Sequence, residues 1–222
     1  MRVVGRGTYL DIGAQDPVTN SVSLAFYEKG WRGLHVEPNP DLAEASARAR
    51  PDAEVVRAAI GPGEGTIPLF RISGTGLRTG VEEIAEQHRT KCYDGERIEV
   101  PVITLDELLD RFQDRALHWL KIDVDGMVKA ILESWIRTDV WPWVVVIEAI
   151  GPVTEASSSL HVRIDANWRD LLAKKGYRKV YFDGLNAFHL AEEHSDLAKC
   201  FAVGPNLFDG FDIGHSSWLG AR

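Results

Sequence analysis

Short apolar runs alternate with amphipathic stretches along this chain, the pattern of a mostly parallel β-sheet with helices on its faces. The first run, Thr8–Ile12, predicts a strand. A helix from about Ser21 to Lys29 follows, with Val22, Leu24, Ala25 and Phe26 as its apolar surface and Gly30 as its stop. Gly33–Glu37 reads as the second strand, and Asn39-Pro40 opens an Ala- and Arg-rich helix that ends before Pro51. Ala53–Ile60 reads as the third strand. Gly61–Gly65 then turns the chain into an extended segment, Thr66–Ile72. Residues 73–99 form an insertion, glycine-rich at first and helical from about Val81, of the kind that serves as a lid beside a ligand site.

Beyond the insertion Val100–Ile103 is extended, and Thr104 with Glu107 has the spacing of a capping box. His118–Val124 is a buried strand with Asp123 and Asp125 at its carboxyl end. A helix from about Met127 to Arg137 leads to the strand Trp143–Ala149, which carries Glu148 near its end. Asp165–Lys175 has one apolar helical face, Ala166, Trp168, Leu171 and Leu172, and stops at Gly176. Tyr177–Phe182 and Ala187–Leu190 form a hairpin through Asp183-Gly184-Leu185-Asn186. No repeat, low-complexity stretch or linker divides the 222 residues, so a single domain over 1–222 is expected.

Composition narrows the partners. A net charge of −8 without a Lys/Arg run argues against nucleic acid, because phosphate contacts need clustered cations. Cys92 and Cys200 fit no metal-ligand spacing and read as free thiols, which points to a reducing, cytoplasmic setting. The N-terminus reaches its first strand within a few residues, so no signal peptide is expected there. The most apolar segment, Trp141 to Ile150, is too short to span a membrane. A homo-oligomer remains compatible with all of this.

The chemistry concentrates at the ends of the first two strands. An apolar strand ending in Asp11-Ile12-Gly13-Ala14, then a helix, then a strand ending in Glu37, is how an open α/β sheet builds a nucleoside site. Glu37 would accept hydrogen bonds from ribose hydroxyls. The first turn lacks the three glycines that let backbone amides close on a pyrophosphate. It sets Asp11 and Asp16 where a cationic ligand would sit. S-adenosylmethionine, with ribose, ammonium and sulfonium but no phosphate, suits it better than NAD. Asp123 and Glu148 end two strands expected to be neighbours. They would bind Mg²⁺ and orient an acceptor hydroxyl, or one of them would act as the base directly. Against both stands a structural reading, in which Asp123 caps the next helix and Glu148 pairs with a cation such as Lys121. His35, His118, His161, His189 and His194 have no metal-ligand spacing, and His118 and His189 read as core or edge residues. Thr75 and Thr79 fit either acceptor contacts or loop turns.

From Tyr9 to about Phe211 the chain resembles the FkbM-type family of S-adenosylmethionine-dependent methyltransferases. The carriers are Asp11-Ile12-Gly13-Ala14-Gln15-Asp16-Pro17, Ser21 with Ala25-Phe26-Tyr27, Gly30-Trp31-Arg32-Gly33, Val36-Glu37-Pro38, Gly74-Thr75-Gly76-Leu77, Leu120-Lys121-Ile122-Asp123-Val124, Trp141-Pro142-Trp143 and Tyr181-Phe182-Asp183-Gly184-Leu185-Asn186. The resemblance implies a Rossmann-like fold of seven strands, mostly parallel with an antiparallel last strand, and methyl transfer to a hydroxyl of a small molecule or glycan, such as a sugar or polyketide-type product. By motif match, Asp11, Gly13 and Ala14 line the methionine end of the cofactor. Glu37 and Pro38 serve the ribose, and Ala58 and Ala59 lie against the adenine. The chain departs from the pattern at Val128, where relatives usually carry an acid, at Asp125, where they carry Glu, and before the first strand, where they tend to have a helix. Those departures motivate an alternative, a cofactor-binding module of the same fold that has lost turnover.

Overall fold

Alternation along five parallel strands divides the main sheet into two chemically different faces. The computed structural model describes residues 4–63, 65–72, 78–79, 95–124, 126–151, 162–163, 168–204 and 206. Its first half runs β1 (Thr8–Ile12), α1 (Leu24–Glu28), β2 (Arg32–Val36), α2 (Pro40–Ala49), β3 (Glu54–Val56), β4 (Ala59–Ile60), β5 (Gly65–Ile72), β6 (Arg78–Thr79) and β7 (Gly95–Ile103). The second half runs α3 (Leu105–Leu109), β8 (Trp119–Ile122), α4 (Val128–Ser134), β9 (Val144–Glu148), β10 (Ile150–Gly151), β11 (Val162–Arg163), α5 (Arg169–Lys174), β12 (Tyr177–Phe182) and β13 (Asn186–Ala191).

Seven strands form one sheet in the order β12-β13-β9-β8-β1-β2-β3. The strands from β9 to β3 are parallel to their neighbours, and β13 runs antiparallel between β9 and β12. The hairpin that inserts β13 is held by Asp183, whose carboxylate accepts from the amides of Leu185 (2.9 Å) and Asn186 (2.6 Å). Leu10, Ile12, Leu34, Val36, Leu120, Ile122, Val145 and Ile147 are essentially inaccessible and share one apolar cluster with side chains of α3, α4 and α5. Burial of each such side chain is worth about 1.5–3 kcal/mol. The opposite face carries Tyr9, Asp11, His35, Trp119 and Lys121, all buried, so charged and polar groups there meet one another rather than water.

Local signals place the elements. Asn39 caps α2 by accepting from the amides of Asp41 and Leu42, and Pro40 supplies a preset first turn. Thr104 and Glu107 form the expected reciprocal capping box on α3. The helix expected over 21–29 is only Leu24–Glu28, because the hydroxyls of Ser21 and Ser23 are drawn to the Arg50 guanidinium instead. The single third strand expected over 53–60 is a correction: the chain leaves the main sheet after Val56, and Ala59–Ile60 joins a second sheet of order β4-β7-β5-β6. That sheet has its own small apolar cluster of Ala59, Leu69 and Val100. Most of the lid-like insertion, 73–77 and 80–94, lies outside the described residues, as does Asp125. Among the described residues no helix is long and apolar enough to cross a membrane.

Gly33 lies beside Tyr9 in the β1–β2 register, and a Cβ on it would stand 2.2 Å from the Tyr9 ring. That ring stacks on Trp119 with centroids 4.8 Å apart and planes 8° from parallel. Gly33→Ala should therefore lower stability by about 1–3 kcal/mol, the usual cost of overpacking. Urea denaturation measures it, and an unchanged midpoint would mean that Tyr9 does not lie across Gly33.

Candidate functional site

The carboxyl ends of β1, β2, β8 and β9 bring the candidate residues together. Immediately after β1, Gly13 adopts φ +74°, and its amide donates to the Val36 carbonyl at 3.0 Å. Ala14, buried, donates to the same oxygen at 3.2 Å. A Cβ on Gly13 would stand 2.0 Å from the Asp123 carbonyl oxygen. Both the backbone angle and the space demand glycine here.

Lys121 projects into this corner from β8, in register with Asp11. Its Nζ stands 2.9 Å from Asp123 Oδ2, 3.6 Å from Asp11 Oδ1 and 3.3 Å from the Gly13 carbonyl. Burial opposes charge on this amine, but the Asp11 and Asp123 carboxylates outweigh it and hold its pKa above the ordinary lysine value. Asp11 is 1% exposed, and neither carboxylate oxygen receives a hydrogen bond. Asp123 is more open, with 26% of its side chain accessible. Two carboxylates and one ammonium leave the corner with one net negative charge.

Glu37 follows β2 and is buried. Its Oε2 accepts from the Gln15 amide and its Oε1 from the Asn39 amide, both at 2.9 Å. Gln15 reaches it from a left-handed backbone, φ 54°, which a non-glycine residue enters at a cost of about 1–2 kcal/mol. Pro38, half-buried, separates Glu37 from the α2 cap. Asp16 instead closes its own turn, accepting from the amides of Val18 (2.8 Å) and Thr19 (2.6 Å). Ala58 is buried between the two sheets' strands, its amide bonded to Val56, while Ala59 packs into the second sheet's cluster.

Glu148 ends β9, one register step beyond the pair Ile122–Ile147, so it follows Asp123 on the adjacent strand and the same side of the sheet. The sequence missed how Lys121 partitions these acids. It considered Lys121 as a partner for Glu148, whereas the ammonium sits between Asp11 and Asp123. The signal was present: a lysine flanked by Leu120 and Ile122 in a buried strand shares its face with the acid two positions on. The Mg²⁺ expectation finds no support, since an ammonium already sits 2.9 Å from Asp123 and no cluster of three or more metal-type side chains occurs among the described residues. His118 accepts from the Thr8 amide and lies between Trp31 and Trp143, and buried His189 packs on Trp168, in keeping with structural roles.

Beneath the turn lies a polar network that sequence reading did not anticipate. Arg50, 1% exposed, donates to Ser23 Oγ (2.7 Å), Ser21 Oγ (2.6 Å) and the Pro17 carbonyl (2.5 Å), and it stands 3.1 to 3.2 Å from both ring nitrogens of His35. His35 Nε2 is 3.0 Å from the Tyr9 hydroxyl. The end of α2 is thereby tied to the loop that follows the glycine turn. Two surface hollows, of about 390 Å³ beside Arg6 and Arg32 and about 260 Å³ beside Arg115 and Trp141, lie at the amino-terminal ends of the strands. Asp11, Asp123, Glu37 and the left-handed Gly13 and Gln15 are at the other end, which is where open α/β sheets bind ligands.

A family model described as the methyltransferase FkbM domain matches residues 11–179, most of the chain. No curated relative and no solved structure matches it.

Burial holds the His35 pKa down to about 4, the Asp11 carboxylate pulling it up and the Arg50 guanidinium pushing it down. The unfolded chain, with an ordinary histidine, then binds more protons between about pH 6.5 and 4, so stability is lost as pH falls through that window, by up to roughly 3 kcal/mol from this group. His118, also depressed chiefly by burial, acts in the same direction. Urea titrations of wild type and His35→Gln across this window should show the shallower decline for the variant. Identical slopes would remove the buried neutral imidazole.

Proposed function

The chain belongs to the FkbM methyltransferase family, and from that premise we propose that it is an S-adenosylmethionine-dependent O-methyltransferase acting on a hydroxyl of a small molecule or glycan. The observation that carries this reading is Glu37, a buried carboxylate held in one orientation by two backbone amides at the end of β2. Such a group matches vicinal ribose hydroxyls. The other residues fit the same cofactor. Asp11 offers two buried oxygens without hydrogen-bond donors, and the backbone approach at Gly13 leaves the turn without a side chain that would block it. A Rossmann-like fold with helices on both faces is what the family implies for the seven-stranded sheet.

When bound, the cofactor supplies an electrophilic methyl group on a sulfonium. The chain's own task is to hold donor and acceptor in line, exclude water and receive the acceptor's hydroxyl proton. Asp11, Gly13 and Ala14 would line the methionine end, Glu37 and Pro38 the ribose, and Ala58 with Ala59 the adenine side. Asp123, partly open at the end of β8, and Glu148 beside it are the carboxylates for the proton. The acidic balance and absence of cationic runs favour a neutral or cationic acceptor over nucleic acid.

A second reading, a cofactor-binding module without turnover, is favoured by one observation. Val128, where the resemblance to the family implies an acid, is 5% exposed within the main apolar cluster at the start of α4. Production of S-adenosylhomocysteine in the presence of hydroxylated acceptors distinguishes the two.

Calorimetric titration should show S-adenosylhomocysteine binding, with a loss of about 1–3 kcal/mol in Glu37→Ala, the scale of a charge-assisted hydrogen bond. Binding of NAD in its place would overturn the assignment. Asp123→Asn and Glu148→Gln should reduce turnover with less effect on S-adenosylhomocysteine affinity, and the activity should survive chelation. Wild-type rates in both variants would return the two acids to purely structural roles.

A further inference from the structure

The least expected feature of the corner is a fixed cation inside it. A pocket for a sulfonium gains most by presenting negative charge, yet Lys121 places an ammonium between the two acids that converge there. The amine is not a snorkelling surface group. Only 9% of its side chain is accessible, and its Nζ is committed to Asp123 at 2.9 Å and to the Gly13 carbonyl at 3.3 Å. Asp11, against which it stands at 3.6 Å, has no hydrogen-bond donor of its own and so depends on Lys121 for charge compensation. Without the ammonium, the corner would carry two negative charges instead of one.

We propose that Lys121 sets the charge selectivity of the cofactor crevice, keeping its preference for the sulfonium over the neutral thioether small enough for the neutral sulfur to form without a large electrostatic penalty. The inference rests on the reading of the crevice as an S-adenosylmethionine site. Its physical basis is differential binding. S-adenosylmethionine and S-adenosylhomocysteine share adenine, ribose and amino acid, and differ by one methyl group and one positive charge on sulfur. A crevice with two uncompensated carboxylates would stabilise the charged ground state most and would oppose every step toward a neutral sulfur. One ammonium fixed beside those carboxylates lowers that preference while leaving a net negative charge to attract the sulfonium.

The ratio of the two affinities isolates this effect, because contacts common to both ligands cancel. Titration calorimetry with both ligands on wild type, Lys121→Met, Asp123→Asn and the double variant changes the corner's charge in a defined way. Lys121→Met removes the fixed cation, Asp123→Asn removes one carboxylate, and the double variant removes both members of the pair. The preference for S-adenosylmethionine over S-adenosylhomocysteine should rise by about fivefold or more in Lys121→Met and fall by a similar factor in Asp123→Asn, the size of coupling expected from one nearby charge. It should return to about the wild-type ratio in the double variant, and Lys121→Arg should leave it unchanged. A purely structural lysine would weaken both ligands together, so an unmoved ratio in Lys121→Met overturns the proposal. Should Lys121→Met fail to fold, Asp123→Asn decides alone, its unmoved ratio being equally fatal. Wild type that binds neither ligand would instead overturn the cofactor assignment itself, and this inference with it.

Discussion

No side chain fits between the turn after β1 and the backbone of Asp123. That single close approach fixes the geometry from which the rest of the corner follows. Because Gly13 sits in a left-handed conformation with its carbonyl turned toward β8, Lys121 can reach that oxygen while also spanning Asp11 and Asp123. Because the Gly13 and Ala14 amides both bond to Val36, the turn is locked to the end of β2, where Glu37 begins. Three strands are thus joined at their carboxyl ends by backbone contacts, of which the approach of Gly13 to Asp123 tolerates no Cβ. The side-chain chemistry is hung on that junction.

The two faces of the sheet solve different problems. The apolar face is held by nondirectional burial, and its cluster runs without interruption from β2 to β13. The other face buries Asp11, His35, Arg50 and Lys121, for which desolvation costs are recovered only if partners are placed accurately. Arg50 meets this by donating to two serines and a carbonyl of the same loop, so the loop that carries the glycine turn is braced from below. Tyr9, its pKa raised to about 12 chiefly by burial, stays protonated beside His35 and adds no anion to the network. Polar satisfaction on this face and placement of the candidate site are one requirement.

Much of this was legible in the chain. The alternation of apolar runs predicted β1, β8, β9 and the final hairpin to within a residue or two, and Asn39-Pro40 and Thr104 with Glu107 predicted their caps, because these signals are local. Residues 53–60 were misread as one strand, since nothing local distinguishes a continuous strand from one that changes sheets at Arg57 and Ala58. The Arg50 network was invisible for the same reason: it joins positions from Tyr9 to Arg50 that only folding brings together. Glu37 stood out as a candidate because an acid at a strand end has few structural uses, and the fold buries it at the end of β2. Asp16 has the same chemistry in the sequence, and in the fold one of its oxygens closes the turn that follows it.

The position of Lys121 also bears on how the two open acids divide their work. A divalent cation on Asp123 would have to share that carboxylate with an ammonium already at hydrogen-bonding distance, and the repulsion between the two cations would be felt in a partly buried site where screening is weak. An acceptor hydroxyl brings no such conflict, because it is neutral until its proton leaves. The ammonium also fixes the direction of the Asp123 carboxylate, which a catalytic group gains from as much as a structural one. Glu148, on the neighbouring strand and the same side of the sheet, is half-buried at the end of β9. Two carboxylates of the same chemical type, one tied to a cation and one at a different strand end, are the arrangement from which unequal roles arise.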